Sequence, residues 1–321
     1  MKQLAASIVV LPALTVLALA PLAQAAQAGK SPLKVFILAG QSNMEGQAVV
    51  DLDDEEYYNG GRGNLEHVMQ DPAKAHLYKH LKHGDGNWAV RDDVWVWYKT
   101  EQAGVKKGGL TIGYTPYPEK HHFGPELQFG HVLGDYLDNQ VLLIKTAWGG
   151  KSLYRDFRPP SSGGQVGPCY TRMLDETREA LANIGKDFPD YDGHGYEIAG
   201  FVWFQGWNDM GDEAAVAEYE ENLANLIKDV RKELGVPRLP VVIGETGNCD
   251  NMTFRRAQAA VAQRPELRGT VTFVATGEFR RPAQESPNVG HGHHWYGNAE
   301  SYLLIGNALG EAMKRLLAPV E

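Results

Sequence analysis

The chain has 321 residues, 43% hydrophobic and 22% charged, which are ordinary values for a globular protein with a sizeable core. A total of 31 Lys and Arg against 40 Asp and Glu leaves a net charge of −9, which argues against nucleic acid or anionic lipid as the main partner. Two cysteines exclude a disulfide scaffold and a four-thiolate zinc site.

Residues 1–25 read as a secretory signal. Lys2 precedes an apolar run from Leu4 to Leu22, interrupted by Pro12 and Pro21, and Ala23-Gln24-Ala25 offers a cleavage site before Ala26. The expectation is a secreted or periplasmic protein with no membrane attachment after cleavage. Export leaves Cys169 and Cys249 in an oxidising space, where a disulfide and two separate buried thiols are both open.

After a leader at residues 26–32, Lys34 to Ala39 is a continuous apolar run, the pattern of a strand buried on both faces. It stops at Gly40-Gln41-Ser42-Asn43-Met44. An aromatic, Gly-rich insertion over residues 59–122 has little periodicity and reads as loops around a short strand at Val94–Tyr98. A helix is expected from Pro125 to Leu137, with Pro125 in its first turn. A second buried strand, Gln140 to Thr146, stops at Trp148-Gly149-Gly150. Then come a helix over Met173–Ile184 and a strand over Ile198–Phe204 that stops at Gln205-Gly206-Trp207-Asn208-Asp209. A long helix follows over Asp212–Leu234, and then a strand over Pro240–Gly244 that stops at Glu245. A helix over Met252–Ala262, a strand over Thr270–Ala275 and a helix over Asn298–Leu317 close the chain. Strands alternating with helices imply α/β architecture, with five mainly parallel strands in a single domain over residues 33–318. Ligands of such sheets bind beyond the carboxyl ends of the strands, which puts Ser42, Gly149, Asn208 and Glu245 on one rim.

Those residue types suit ester hydrolysis by a serine, which needs an exposed hydroxyl, a base, oxyanion donors and a group that orients the base. Ser42 follows a strand, although Gly40-Gln41-Ser42-Asn43-Met44 is not a G-x-S-x-G elbow. The N–H groups of Ser42 and Gly149 and the side-chain amide of Asn208 are the candidate oxyanion donors. His291, His293 and His294 cluster before the last helix. They can supply the base or, alternatively, ligands for a metal-dependent hydrolase. Trp88, Trp95, Trp97, Tyr98 and Tyr114 offer flat faces for sugar rings, against the plain reading of Val94–Tyr98 as a half-buried strand. Arg155 and Arg158 can meet an acidic sugar or pair with surface acids.

Phe36 to Gly46 resembles the first block of the SGNH hydrolases. More narrowly, it is similar to the sialate O-acetylesterase-like group (the SASA domain) and to carbohydrate esterase family six. Ala147 to Leu153 resembles the block with the oxyanion Gly, Gly206-Trp207-Asn208-Asp209 the block with the oxyanion Asn, and His293 to Glu300 the block with the catalytic His. The resemblance spans residues 33–318 and implies a three-layer α/β/α, flavodoxin-like fold. It also implies a serine acetylesterase with Ser42 as nucleophile, His294 as base in preference to His293, and no metal or organic cofactor. Gln41, Gln205, Trp148 and Arg155 are the expected substrate contacts. Two departures stand out: His291 occupies the position three before His294 where the family pattern has Asp, and Trp207 replaces the Glu of Gln-Gly-Glu. Glu245 and Asp209 are the candidates for the third member, and a dyad completed by a backbone carbonyl is the alternative. The expected partner is an acetylated carbohydrate. A carbohydrate-binding pseudoenzyme of the same fold is the rival from outside enzymology.

Overall fold

The computed structural model describes residues 31–318, so the expected signal segment at residues 1–25 lies outside the described residues. Strand β1 (Leu33–Gly40) runs into a single helical turn, α1 (Ser42–Glu45). Its side chains alternate between two cores: Val35, Ile37 and Ala39 enter one, Phe36 and Leu38 the other. A continuous apolar run is what a strand covered on both faces requires. The short strands β2 (Ala48–Val49) and β5 (His122–Phe123) pair antiparallel and tie together the ends of the insertion. Within it lie α2 (Leu65–Gln70), α3 (Ala75–Tyr78), β3 (Arg91–Thr100) and β4 (Gly104–Leu110).

Helix α4 (Glu126–Tyr136), strand β6 (Val141–Ala147), helices α5 (Pro168–Ala182) and α6 (Ile184–Asp187) and strand β7 (Tyr196–Phe204) follow. Then come α7 (Glu213–Leu234), β8 (Val241–Gly244), α8 (Met252–Val261), β9 (Val271–Val274) and α9 (Ala299–Leu317). The bounds of α7 follow from local chemistry. The Asp212 side chain accepts from the N–H groups of Ala214 and Ala215, and Gly235 closes the helix in the left-handed conformation at φ 69°.

The main sheet has seven strands in the order β4-β3-β6-β1-β7-β8-β9, against the five expected. The five foreseen strands, taken in chain order, lie 2-1-3-4-5, the flavodoxin-like order. The insertion adds β3, parallel to β6, and β4, an antiparallel edge strand. Helices α5, α7 and α8 cover one face, and α4 and α9 the other. This makes the three-layer α/β/α arrangement. Because the chain leaves β1 first towards β6 and later towards β7, the end of β1 is the switch point where a cleft must open. Among the described residues, no helix is long and apolar enough to cross a membrane. Cys169 and Cys249 are both free, buried thiols.

Candidate active site

Ser42 sits at that switch point. It is the first residue of α1, so its N–H has no helical acceptor. The residue is 8% exposed and lines a cavity of about 540 Å³ with Gly149, Asn208, His293 and His294. Nε2 of His294 lies 3.0 Å from Ser42 Oγ, across 252 residues of sequence. Of the two late histidines considered as base, His294 makes the contact. The His293 ring stands 4.0 Å from the His294 ring, centroid to centroid.

The loop carrying His294 is held in an unusual shape. Trp295 and Tyr296 have φ of 53° and 56°, a left-handed conformation that costs about 1–2 kcal/mol per non-glycine residue. Surrounding hydrogen bonds fix it. Asn43 Nδ2 donates to the His293 carbonyl at 3.0 Å, and Tyr302 Oη donates to Asn43 Oδ1 at 2.7 Å. Thus the residue next to the serine also anchors the loop that brings the base. Burial, and secondarily the neighbouring His293 and His291, push the His294 imidazole down to about 3, so it is neutral and able to accept a proton across the working pH range.

Hydrogen-bond counting orients Asn208. The Gly206 N–H donates to Gln41 Oε1 at 2.9 Å, which leaves Gln41 Nε2 to donate to Asn208 Oδ1, also at 2.9 Å. The amide nitrogen of Asn208 is then the end left for the cavity. Gly149 stands across the cavity. An added Cβ there would lie 3.9 Å from Ser42 Cβ and 3.1 Å from Glu45 Oε2. The three expected donors therefore border one space beside Ser42.

Several expected contacts are corrected. Asp209 does not reach His294: it is fully buried and accepts from the N–H groups of Leu153 and Tyr154 at 2.9 and 2.8 Å and from Gln205 Nε2 at 2.6 Å. Burial pushes its carboxyl up to about 6, and its work is to lock the loop after β6 to the loop after β7. Glu245 follows β8, two strands from β1, and is held by Arg255 and by the N–H groups of Thr276 and Gly277. Among the described residues, no carboxylate hydrogen-bonds to the His294 ring. Gln205 is also no substrate contact, since its amide donates to the Lys151 carbonyl and to Asp209. Trp148 is buried under Arg172 and stacked on Phe157. Arg155 is 78% exposed, 4.0 Å from Asp212 and outside the cavity lining, while Arg158 pairs with Glu218. Gln41 does line the cavity, although both ends of its amide are committed.

The aromatic platform also lies elsewhere. Trp95, Trp97, Tyr98 and Tyr114 are buried in the two cores, and Trp88 packs under Lys82. The aromatic rings lining the cavity are Tyr117 and Trp207, with Trp207 5.5 Å from the His293 ring. Trp207, noted above as a departure from the pattern this chain resembles, supplies a flat apolar wall. Glu45 and Gln47 also line the cavity and went unforeseen. Their signal was their place, three and five residues after Ser42. As to a metal, the late histidines face one another with ring centroids 4.0–6.1 Å apart. Among the described residues, no group of three or more His, Cys, Asp or Glu is arranged to hold a metal ion.

Comparison with known proteins agrees with this architecture. The chain is 25% identical over 215 residues to a "Probable carbohydrate esterase" of Arabidopsis thaliana, covering 66% of this chain and 68% of that one. A crystal structure of an Arabidopsis thaliana protein superposes with a TM-score of 0.57 at 19% identity, covering 88% of this chain and 98% of that one. A carbohydrate acetylesterase from Xanthomonas citri superposes with a TM-score of 0.51 at 15% identity, over 87% of this chain and 55% of that one. The family described as "Carbohydrate esterase, sialic acid-specific acetylesterase" matches residues 32–315. A serine at the switch point of a flavodoxin-like sheet, in contact with a histidine from the chain's end, is thus carried by a chain that belongs to the SASA family of carbohydrate esterases.

Proposed function

We propose that the protein is an exported serine esterase that removes O-acetyl groups from carbohydrate through an acetyl-enzyme. The observation that carries this reading is the 3.0 Å approach of His294 Nε2 to Ser42 Oγ inside a cavity bordered by Gly149 and Asn208. His294 takes the serine proton as Oγ attacks the acetyl carbonyl carbon. Negative charge then collects on the carbonyl oxygen, facing the N–H groups of Ser42 and Gly149 and the amide of Asn208. Collapse expels the sugar hydroxyl, which receives the proton from His294. Water repeats the sequence on the acetyl-enzyme and releases acetate.

With no carboxylate on the imidazole, orientation of the base falls to the Asn43–Tyr302 anchor and the fixed loop backbone, a dyad rather than a triad. Acetate release from a panel of acetylated glycans tests the reading and names the sugar. Ser42→Ala and His294→Ala are each expected to lower kcat by about 10⁴-fold or more. Equal slow rates for wild type and Ser42→Ala would instead favour a carbohydrate-binding protein that only keeps the fold. The export half of the proposal rests on residues 1–25. The intact mass of the secreted chain checks it, with Ala26 as the expected first residue.

A further inference from the structure

Glu45 closes the helical turn that Ser42 opens, and its carboxyl stands between the nucleophile's cavity and the core. Oε2 faces the cavity side, against Gly149. Oε1 lies 3.1 Å from Tyr98 Oη, and Tyr98 Oη lies 3.1 Å from the Ala147 carbonyl oxygen. This second pair of distances poses a counting problem. A phenol has one proton, and here it faces two acceptors. If Glu45 is ionised, Tyr98 can satisfy only one of them. If Glu45 is protonated, its O–H donates to Tyr98, Tyr98 donates to Ala147, and no acceptor is left over.

Resting on the esterase reading above, we propose that Glu45 is a positioning residue that must carry a proton for the oxyanion pocket to work, making the neutral acid the active form. As a carboxylate it would hold the Gly149 N–H for itself and set a negative charge beside the place where the acetyl oxygen becomes negative. As a neutral acid, with its proton on Oε1 towards Tyr98, it offers Gly149 only an uncharged carbonyl oxygen, a weaker competitor for that N–H, and through Tyr98 it braces the Ala147 carbonyl two residues upstream. No covalent bond of Glu45 other than its O–H changes.

The surroundings agree. Burial pushes the Glu45 carboxyl up to about 7, against the downward pull of the Tyr98 hydroxyl, the Lys145 ammonium and the Gly149 N–H, with Glu101 pushing in the same direction as burial. Lys145 does not pair with the carboxyl directly. Its three ammonium protons go to the carbonyls of Glu45 and Tyr114, at 2.8 and 2.6 Å, and to Glu126 at 2.9 Å. From the insertion, Tyr117 also faces the same space.

The test is the alkaline limb of acetate release by the full secreted chain. Wild-type kcat/KM is expected to fall about 30-fold between pH 6 and pH 8.5, the loss of the protonated fraction of an acid titrating near 7. Glu45→Gln, permanently neutral, should lose that limb. Tyr98→Phe, which removes the phenol that links the acid to the Ala147 carbonyl, should displace the midpoint of the limb, an effect that mere loss of packing would not produce. An unchanged limb in Glu45→Gln overturns the proposal. An infrared titration of Ser42→Ala, following the carboxylic-acid carbonyl band that Glu45→Gln removes, reads the proton without reference to turnover. A group already mostly carboxylate at pH 6 in that titration also overturns it. If wild type and Ser42→Ala hydrolyse alike, the esterase reading fails and the gating role falls with it, whatever the infrared midpoint.

Discussion

At the scale of single residues, the site works by committing the polar atoms around its reacting groups. Gln41 shows the method: its carbonyl oxygen is spent on Gly206 and its nitrogen on Asn208, so the Asn208 amide has only one way to face. His294 shows its electrostatic counterpart. A base is active when deprotonated, so a pKa held down near 3 by burial extends activity towards acid rather than limiting it. The expected kcat/KM profile is therefore flat from about pH 5.5, below the Glu45 limb, down to about pH 4, with no loss of activity on the acid side of the ordinary histidine value of about 6.5. A rate profile between pH 3.5 and 7 checks this, and a fall towards acid with a midpoint near 6.5 would mean that the imidazole is far better hydrated than its surroundings imply. The same paired, buried environment explains why neither proposed acid serves His294. Asp209 and Glu245 are each consumed by two backbone N–H groups and a third donor, and a carboxylate so engaged is a structural fastener.

At the scale of elements, the sharp strand-to-helix turn at Gly40-Gln41-Ser42 sets the nucleophile, and Gly40 permits it. A Cβ there would overlap the Phe204 carbonyl oxygen of β7, the strand that pairs with β1. Gly40→Ala is expected to cost about 1–3 kcal/mol, as overpacking does, and to lower kcat by displacing Ser42. Gly150→Ala is the useful contrast. Nothing lies within 4 Å of its added Cβ, and only its φ of 71° penalises the change, by about 1 kcal/mol. Urea melts and turnover of both variants check the pair, and equal losses would show that the close approach at Gly40 is relaxed elsewhere.

Elements also explain which parts of the structure the sequence revealed. The buried strands announce themselves as apolar runs because both faces are covered, and the polar residue directly after each run has to lie on the rim. That is why Ser42, Gly149 and Asn208 were readable. Strand β4, GVKKGGL, was not, because an edge strand rich in Gly and Lys carries neither an apolar run nor alternation. The Trp95 and Trp97 faces misled for the opposite reason. Alternation along β3 sends them to one core and Val94 and Val96 to the other, so conspicuous rings serve packing. Trp207, in a loop with no periodicity, gave no pattern to read. Glu45 needed the third dimension, since only the fold brings Tyr98 and Gly149 to it.

For the molecule as a whole, what matters is that the two reacting side chains are 252 positions apart, one just after the first strand and one just before the final helix. As the polypeptide is made, the nucleophile emerges early and waits for a partner that arrives only with the last stretch of synthesis. No partial product that stops short of His294 carries both groups, and a longer one cannot be competent until α9 has docked and drawn its preceding loop against α1. Esterase turnover would therefore report on completed folding, and a chain threaded unfolded through a membrane would remain inert until it reached the far side.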